Sequence, residues 1–146
     1  MGVDVQTETV IDRPCAEVAN YTVQPDNAPQ WYVNIRSAEW RTEPPMRVGS
    51  QIAFVAHFLG RRMAYVYEIA EHEPERRLVM RTADGPFPME TTYEFESLDP
   101  GRTRVRLRNR GEPSGFSALM APLMKRAMRR ANEKDLAMLK KTVEAL

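Results

Sequence analysis

The sequence is short of the residues from which most metal and redox centres are built. Its 146 residues include one cysteine, Cys15, and two histidines, His57 and His72. A lone cysteine excludes an internal disulfide framework and a multi-cysteine zinc site. Cys15 falls near a helix start with no base beside it in sequence, so it reads as a small packed residue. Neither histidine has a second ligand at metal spacing, and His72 sits among Glu71, Glu73 and Glu75 in a turn. No apolar run approaches the ~20 residues that span a bilayer. The start, Met1–Gln6, carries an early acid where a targeting peptide would be apolar, so a cytoplasmic location is expected. There is no Gly-x-Gly-x-x-Gly, no phosphate loop and no Gly-x-Ser-x-Gly elbow around Ser114.

An excess of one charge is also missing. Lys and Arg number 21 against 20 Asp and Glu, a net +1, which argues against a strongly basic nucleic-acid binder. The balance conceals two opposed halves. Residues 1–100 carry 9 basic and 16 acidic side chains, and residues 101–146 carry 12 and 4.

What the chain does have is periodicity. Its length predicts one domain over residues 1–146, large enough to bury a core without staples. Val3–Ile11 alternates apolar or small with polar residues, a half-buried strand. Pro14 opens a short helix through Tyr21, and a second short helix reaches Trp31-Tyr32. Strands are predicted over 35–41, 50–59, 62–72, 77–83, 87–97 and 102–110. Between them lie short turns such as Leu59-Gly60-Arg61, Asp84-Gly85-Pro86 and Asp99-Pro100-Gly101, and five of the eleven prolines (Pro44, Pro45, Pro74, Pro86 and Pro100) punctuate these turns. Short turns between successive strands predict an antiparallel meander. Phe116–Leu146 is helical, with an apolar face of Phe116, Leu119, Met120, Leu123, Met124, Ala127, Met128, Ala131, Met138, Leu139 and Leu146. Pro122 kinks or restarts it.

Splitting each strand by its period of two separates the faces. One face collects Phe54 and Phe58, then Met63, Tyr65 and Tyr67, then Met80, then Met89, Thr91 and Tyr93, and finally Asn109. The other face of the last two strands is charged: Glu90, Glu94 and Glu96 oppose Arg102 to Arg110 at alternate positions. Facing glutamates and arginines read as a solvated cross-strand ladder, because the glutamates would repel phosphate. The apolar face mixes large aromatics with small and polar residues, a lining that suits a cavity under the long helix.

Within that lining Tyr65, Tyr67 and Tyr93 offer phenols, and Asn109 brings four hydrogen-bonding demands to an inward position. Met120, Met124 and Met128 share one helix stripe, and with Met63, Met80 and Met89 they place six of nine methionines around one adaptable interior. Trp31 and Tyr32 fall at the expected entrance, where they would gate the cavity or anchor the short helix.

The order of strand, two short helices, six strands and a long C-terminal helix resembles the helix-grip fold of the START-like superfamily. Local segments carry the likeness: Ile11-Asp12-Arg13-Pro14-Cys15-Ala16-Glu17-Val18, Asp26-Asn27-Ala28-Pro29-Gln30-Trp31, Arg47-Val48-Gly49-Ser50, Gly85-Pro86-Phe87-Pro88 and Gly101-Arg102-Thr103-Arg104-Val105. The chain most resembles the bacterial polyketide cyclase/dehydrase and lipid transport group. That resemblance implies an α+β protein with a curved seven-stranded antiparallel sheet wrapped around the C-terminal helix.

It also implies a small apolar ligand, lipid- or polyketide-like, between sheet and helix, with no cofactor or metal and no nucleic-acid partner. The ligand-binding residues expected are Trp31, Tyr32, Phe54, Phe58, Tyr65, Tyr67, Met80, Met89, Thr91, Tyr93, Asn109, Met120, Met124 and Met128. An alternative is a cyclase or dehydratase acting in the same cavity. Relatives of that kind use a pocket arginine, and here Arg77, Arg81, Arg104, Arg106 and Arg108 fall outward by parity. A further alternative is a protein-interaction module, which predicts a filled interior. Monomer and homodimer are both compatible with the sequence.

Overall fold

The computed structural model describes residues 2–112 and 120–146. Strand β1 (Val3–Ile11) leads into helix α1 (Cys15–Val23), a single 3-10 turn (Pro25–Asn27) and helix α2 (Ala28–Trp31). Six strands follow: β2 (Ile35–Trp40), β3 (Gln51–Phe58), β4 (Arg61–Glu73), β5 (Arg77–Asp84), β6 (Met89–Asp99) and β7 (Arg102–Gly111). Helix α3 (Ala121–Glu144) closes the chain. The strands form one antiparallel sheet in the order β1-β7-β6-β5-β4-β3-β2. This is the predicted α+β helix-grip architecture. β2 to β7 make the meander, and β1 returns to pair with β7 from Val3↔Gly111 to Ile11↔Thr103.

Local sequence accounts for the elements. β1 buries Val3, Val5 and Ile11 and exposes Asp4, Gln6 and Glu8, as its alternation requires. Pro14 caps α1 with an extended backbone (φ −61°, ψ 148°), and α1 buries Val18, Ala19 and Thr22. At the β3–β4 turn both Leu59 (φ 50°) and Gly60 (φ 75°) are left-handed; glycine adopts that conformation without strain.

The outer face of the sheet is the charged ladder. Arg104 bridges Glu8 and Glu96 at 3.1 and 2.7 Å, Arg108 meets Asp4 at 2.6 Å, and Arg77 reaches Glu71 and Glu94 at 3.2 Å each. Arg81 pairs with Glu90 at 2.6 Å, and Arg106 lies 3.9 Å from Glu8. Register irregularities in β4–β5 pairing do not turn these five arginines inward.

The inner face packs in two unequal clusters. The larger gathers Ile11, Ile52, Ile69, Leu78 and Leu107 beneath Leu136, Leu139 and Val143 of α3. The smaller joins Val3, Val5 and Met124, with Phe58 and Met128 against it. Thus the sheet is filled under the C-terminal half of α3 and thinly covered under its N-terminal half.

The expected apolar face of the helix needs correction. Leu123, Met138 and Leu146 are 53%, 38% and 67% exposed, and Phe116 and Leu119 lie outside the described residues. The buried stripe runs instead through Met124, the partly buried Met128, Asn132, Asp135 with Leu136, Leu139 and Val143, in steps of three and four. Leu123 and Met138 stand one residue, about 100°, off that stripe, so apolarity does not bury them. Pro122 lies in the first turn of α3, where its missing N–H removes no helical bond. No helix among the described residues is long and apolar enough to cross a membrane.

Ties at its C-terminal end fix the helix over the sheet. The Lys140 Nζ donates to the Val10 carbonyl at 2.8 Å, and the Asp12 N–H donates to the Glu144 carboxylate at 2.8 Å. Arg13 also donates to the Glu144 carbonyl. Nearer the middle of α3, the Val33 N–H donates to Asp135 Oδ1 at 2.8 Å.

Candidate functional site: a cavity with a polar wall

Between the two clusters lies a cavity of about 410 Å³. The interior is therefore not filled, contrary to the expectation for an interaction module. β3 supplies Phe54, Ala56 and Phe58, and β4 supplies Met63, Tyr65 and Tyr67. Met80 comes from β5, Met89 and Thr91 from β6, and Asn109 from β7. Helix α3 closes the space with Met124, Met128, Ala131, Asn132 and Asp135, and Tyr32 and Ile35 complete it. Side-chain alternation on curved strands puts these residues on one concave surface.

Three of the expected residues do not reach the cavity. Met120 precedes α3 and is 37% exposed, because the buried stripe begins at Met124. Trp31 is not at an entrance; it is buried in the core behind Tyr32, their ring centroids 3.9 Å apart. Tyr93 packs deeper in the core, with its ring edge-on to Trp31 at 6.0 Å. Thr82, on the inward parity of β5, uses its hydroxyl on the Met89 backbone instead of lining the space.

One wall of the cavity is a hydrogen-bond relay. The Thr91 hydroxyl donates to Asn109 Oδ1 at 2.6 Å. With that proton committed, the 2.8 Å contact between Tyr67 and Thr91 has the phenol as donor. Asn109 Nδ2 then donates to Asn132 Oδ1 at 3.1 Å. The relay ends at Asn132, which is 4% exposed and whose Nδ2 has no partner among the described residues. Four residues from four elements thus spend their donors in one direction and leave an unused amide N–H on the cavity wall.

Asp135 lies one helical turn beyond Asn132 and is 3% exposed. Burial raises its carboxyl from 3.8 to about 7, and the Val33 N–H opposes the rise only in part. Tyr65 packs edge-on to Tyr67 at 5.1 Å and against Phe54 at 5.5 Å. Burial, then Tyr67, then Asp135 hold its phenol well above the usual range, so it is a neutral donor at physiological pH. Burial likewise carries Tyr67 to about 12. The site therefore combines neutral phenols with a carboxyl poised near neutrality.

Other candidates look ordinary. Cys15 Sγ donates to the Glu75 carbonyl at 3.3 Å, and burial followed by the Glu75 charge raises its thiol, the reverse of an activated nucleophile. Among the described residues no His, Cys, Asp and Glu cluster has a metal-binding arrangement.

Asn132 and Asp135 are the site residues that sequence reading missed. Their signal was spacing: both continue the buried stripe of α3 at 128, 132, 135 and 139. Polar residues in register with a buried face mark an interior polar site.

Comparison with known proteins agrees with this architecture. A protein from Thermus thermophilus is 23% identical, superposes with a TM-score of 0.84, and each chain is covered to 97%. The Zhui aromatase/cyclase from a Streptomyces species is 12% identical with a TM-score of 0.83, covering 99% of this chain and 94% of that one. A START superfamily protein from Mycobacterium smegmatis is 14% identical with a TM-score of 0.83 and 97% coverage of both chains. At such identities the likeness is one of fold. No curated protein matches the chain significantly. The family model described as "Polyketide cyclase / dehydrase and lipid transport" matches residues 2–144, and the chain belongs to that family.

Proposed function

We propose that the protein binds a small, largely apolar molecule in the cavity between the sheet and α3. The observation that carries this reading is the gap between the two core clusters, about 410 Å³, with eleven Phe, Tyr and Met side chains among its walls. Small-molecule sites span roughly 300–1,000 Å³, so the space is of ligand size. Burying apolar ligand surface supplies affinity at about 25 cal/mol per Å², and the five methionines around the space adapt to its shape. The family's description, which pairs cyclases with lipid transport, supports the same class of ligand. Native mass spectrometry of gently purified protein tests it. The expected result is a recurrent small-molecule adduct lost on denaturation. An absence of adducts, together with no uptake of an apolar dye, contradicts it.

A second reading makes the cavity a cyclase or dehydratase site. It is favoured by the Asp135 carboxyl, near 7 and close enough to Tyr65 to raise the phenol. A group with that pKa serves as general base and then acid at neutral pH. Asp135 would take a proton from a methylene between two carbonyls while the neutral Tyr65 phenol donates to the enolate oxygen. After the enolate carbon bonds to a second carbonyl carbon, the carboxylic acid returns the proton to the resulting alkoxide. This reading predicts that Asp135→Asn and Tyr65→Phe cut turnover of a poly-β-ketone while ligand is retained. Unchanged turnover in both variants removes it.

A further inference from the structure

The two ends of the cavity carry opposite chemistry. The inner end holds Asn132 and Asp135, on one face of α3 and buried to within 4%. Among the described residues Asn132 Nδ2 offers a donor with no partner, and only Oδ1 of Asp135 is engaged. The neutral Tyr65 phenol stands beside them, with no hydrogen-bond partner among the described residues. A ligand group that accepts from Asn132 and donates to Asp135 fits this end. A carboxylate or phosphate does not, because it meets the Asp135 charge. The only cations lining the cavity among the described residues are Arg61, Arg62 and Arg110, all exposed. Arg110 is bridged to Glu90, whereas Arg62 has no carboxylate within salt-bridge distance among the described residues. Arg61 and Arg62 open β4 beside the exposed Leu59 turn, so the open end is cationic, while the Arg110 guanidinium turns to Glu90 on the outer face.

We propose that the cavity selects amphiphiles by orientation: an uncharged hydroxyl- or carbonyl-bearing end enters first, toward Asn132 and Asp135, and an anionic group stays at the arginine-lined mouth. This rests on the binding function proposed above and adds a ligand class and a direction. A simple fatty acid is then a poor match. With its carboxylate at the mouth, its methyl end covers Asn132 and Asp135 without giving either a hydrogen bond. With its carboxylate inside, it faces a second carboxylate.

The test compares dodecanoic acid, 12-hydroxydodecanoic acid and dodecan-1-ol as competitors of the apolar dye N-phenyl-1-naphthylamine, at about pH 8, where Asp135 is largely ionised. The hydroxy acid is expected to bind about tenfold more tightly than dodecanoic acid, the scale of one buried hydrogen bond made against one left unmade. In Asn132→Leu the two acids converge. Arg62→Gln weakens both acids and leaves dodecan-1-ol unchanged. Nuclear Overhauser contacts from the Tyr65 ring are expected at carbon 12 of the bound hydroxy acid, not at carbon 2. Equal or tighter binding of dodecanoic acid by the wild-type protein overturns the proposal, as do contacts at carbon 2, and neither result depends on a variant folding. If the dye and both acids bind without preference, only the orientation fails. If neither the dye nor any competitor binds, the binding function fails with it.

Discussion

Asp135 on α3 accepts a 2.8 Å hydrogen bond from the Val33 N–H, in the segment joining α2 to β2. That one bond joins the long helix to the start of the sheet's edge strand and holds a carboxyl where water is scarce. A single N–H does not offset the desolvation, which is why the carboxyl sits near 7.

Stability should therefore fall as pH rises between about 4 and 7. The folded carboxyl titrates near 7 and the unfolded one near 3.8, so the native state binds the extra proton in that window. The contribution is complete below the lower value and gone above the higher. Asp135→Asn keeps an oxygen for Val33 and removes the titration. The expected result is a flatter stability profile and, above pH 7, a gain on the order of a few kcal/mol. Urea denaturation across pH reads both.

The relay predicts an order of effects. Thr91→Val strands the Tyr67 phenol and Asn109 Oδ1 together and should cost about 2–4 kcal/mol. Tyr67→Phe removes a donor while Thr91 still donates to Asn109, and should cost about 1 kcal/mol. Equal losses in equilibrium unfolding would show that the donors do not run in one direction.

Trp31 is 1% exposed and stacks on Tyr32, which lines the cavity. Trp31→Ala should cost about 3–5 kcal/mol through the void it leaves. It should also loosen Tyr32 and weaken dye binding. Trp31→Phe should preserve most of both. Dye binding that survives Trp31→Ala would separate Tyr32 from its support.

On the outer face, burial works to raise the Glu90 carboxyl, but hydrogen bonds from Arg81 and Arg110 outweigh it and leave the pKa lowered. Its contribution is present above the unfolded value of 4.5 and lost as pH falls through the lower folded value, opposite in sign to Asp135. Glu90→Gln should reduce the acid sensitivity of the fold. Arg106→Gln, whose nearest carboxylate is 3.9 Å away, should change stability by less than about 0.5 kcal/mol. Melting curves at low and neutral pH check the pair.

The strands and the charged ladder were legible because a period of two with alternating charge admits one arrangement of faces. Val5 buried between Asp4 and Gln6 is that logic in three residues. The helix was less legible. Apolarity drew Leu123 and Met138 onto the face, whereas spacing from Met124 through Asn132 and Leu139 excludes them. The same habit hid Asn132 and Asp135, because polar side chains on a helix are ordinarily solvated. Trp31 and Tyr32 were not told apart because a four-residue helix has too few turns to show which neighbour faces inward. The order of donors from Tyr67 to Asn132 depends on register across β4, β6, β7 and α3, which no single stretch of sequence contains.

The most direct test is to fill the cavity. Ala131 lines it from α3, half-buried, and Ala131→Trp should occupy the space without crossing the main core. Titration of N-phenyl-1-naphthylamine into wild-type protein should show saturable one-to-one binding. In Ala131→Trp, affinity should drop at least about tenfold while the melting temperature holds. Equal dye affinity in a folded Ala131→Trp protein, or no binding to the wild type, would contradict the account.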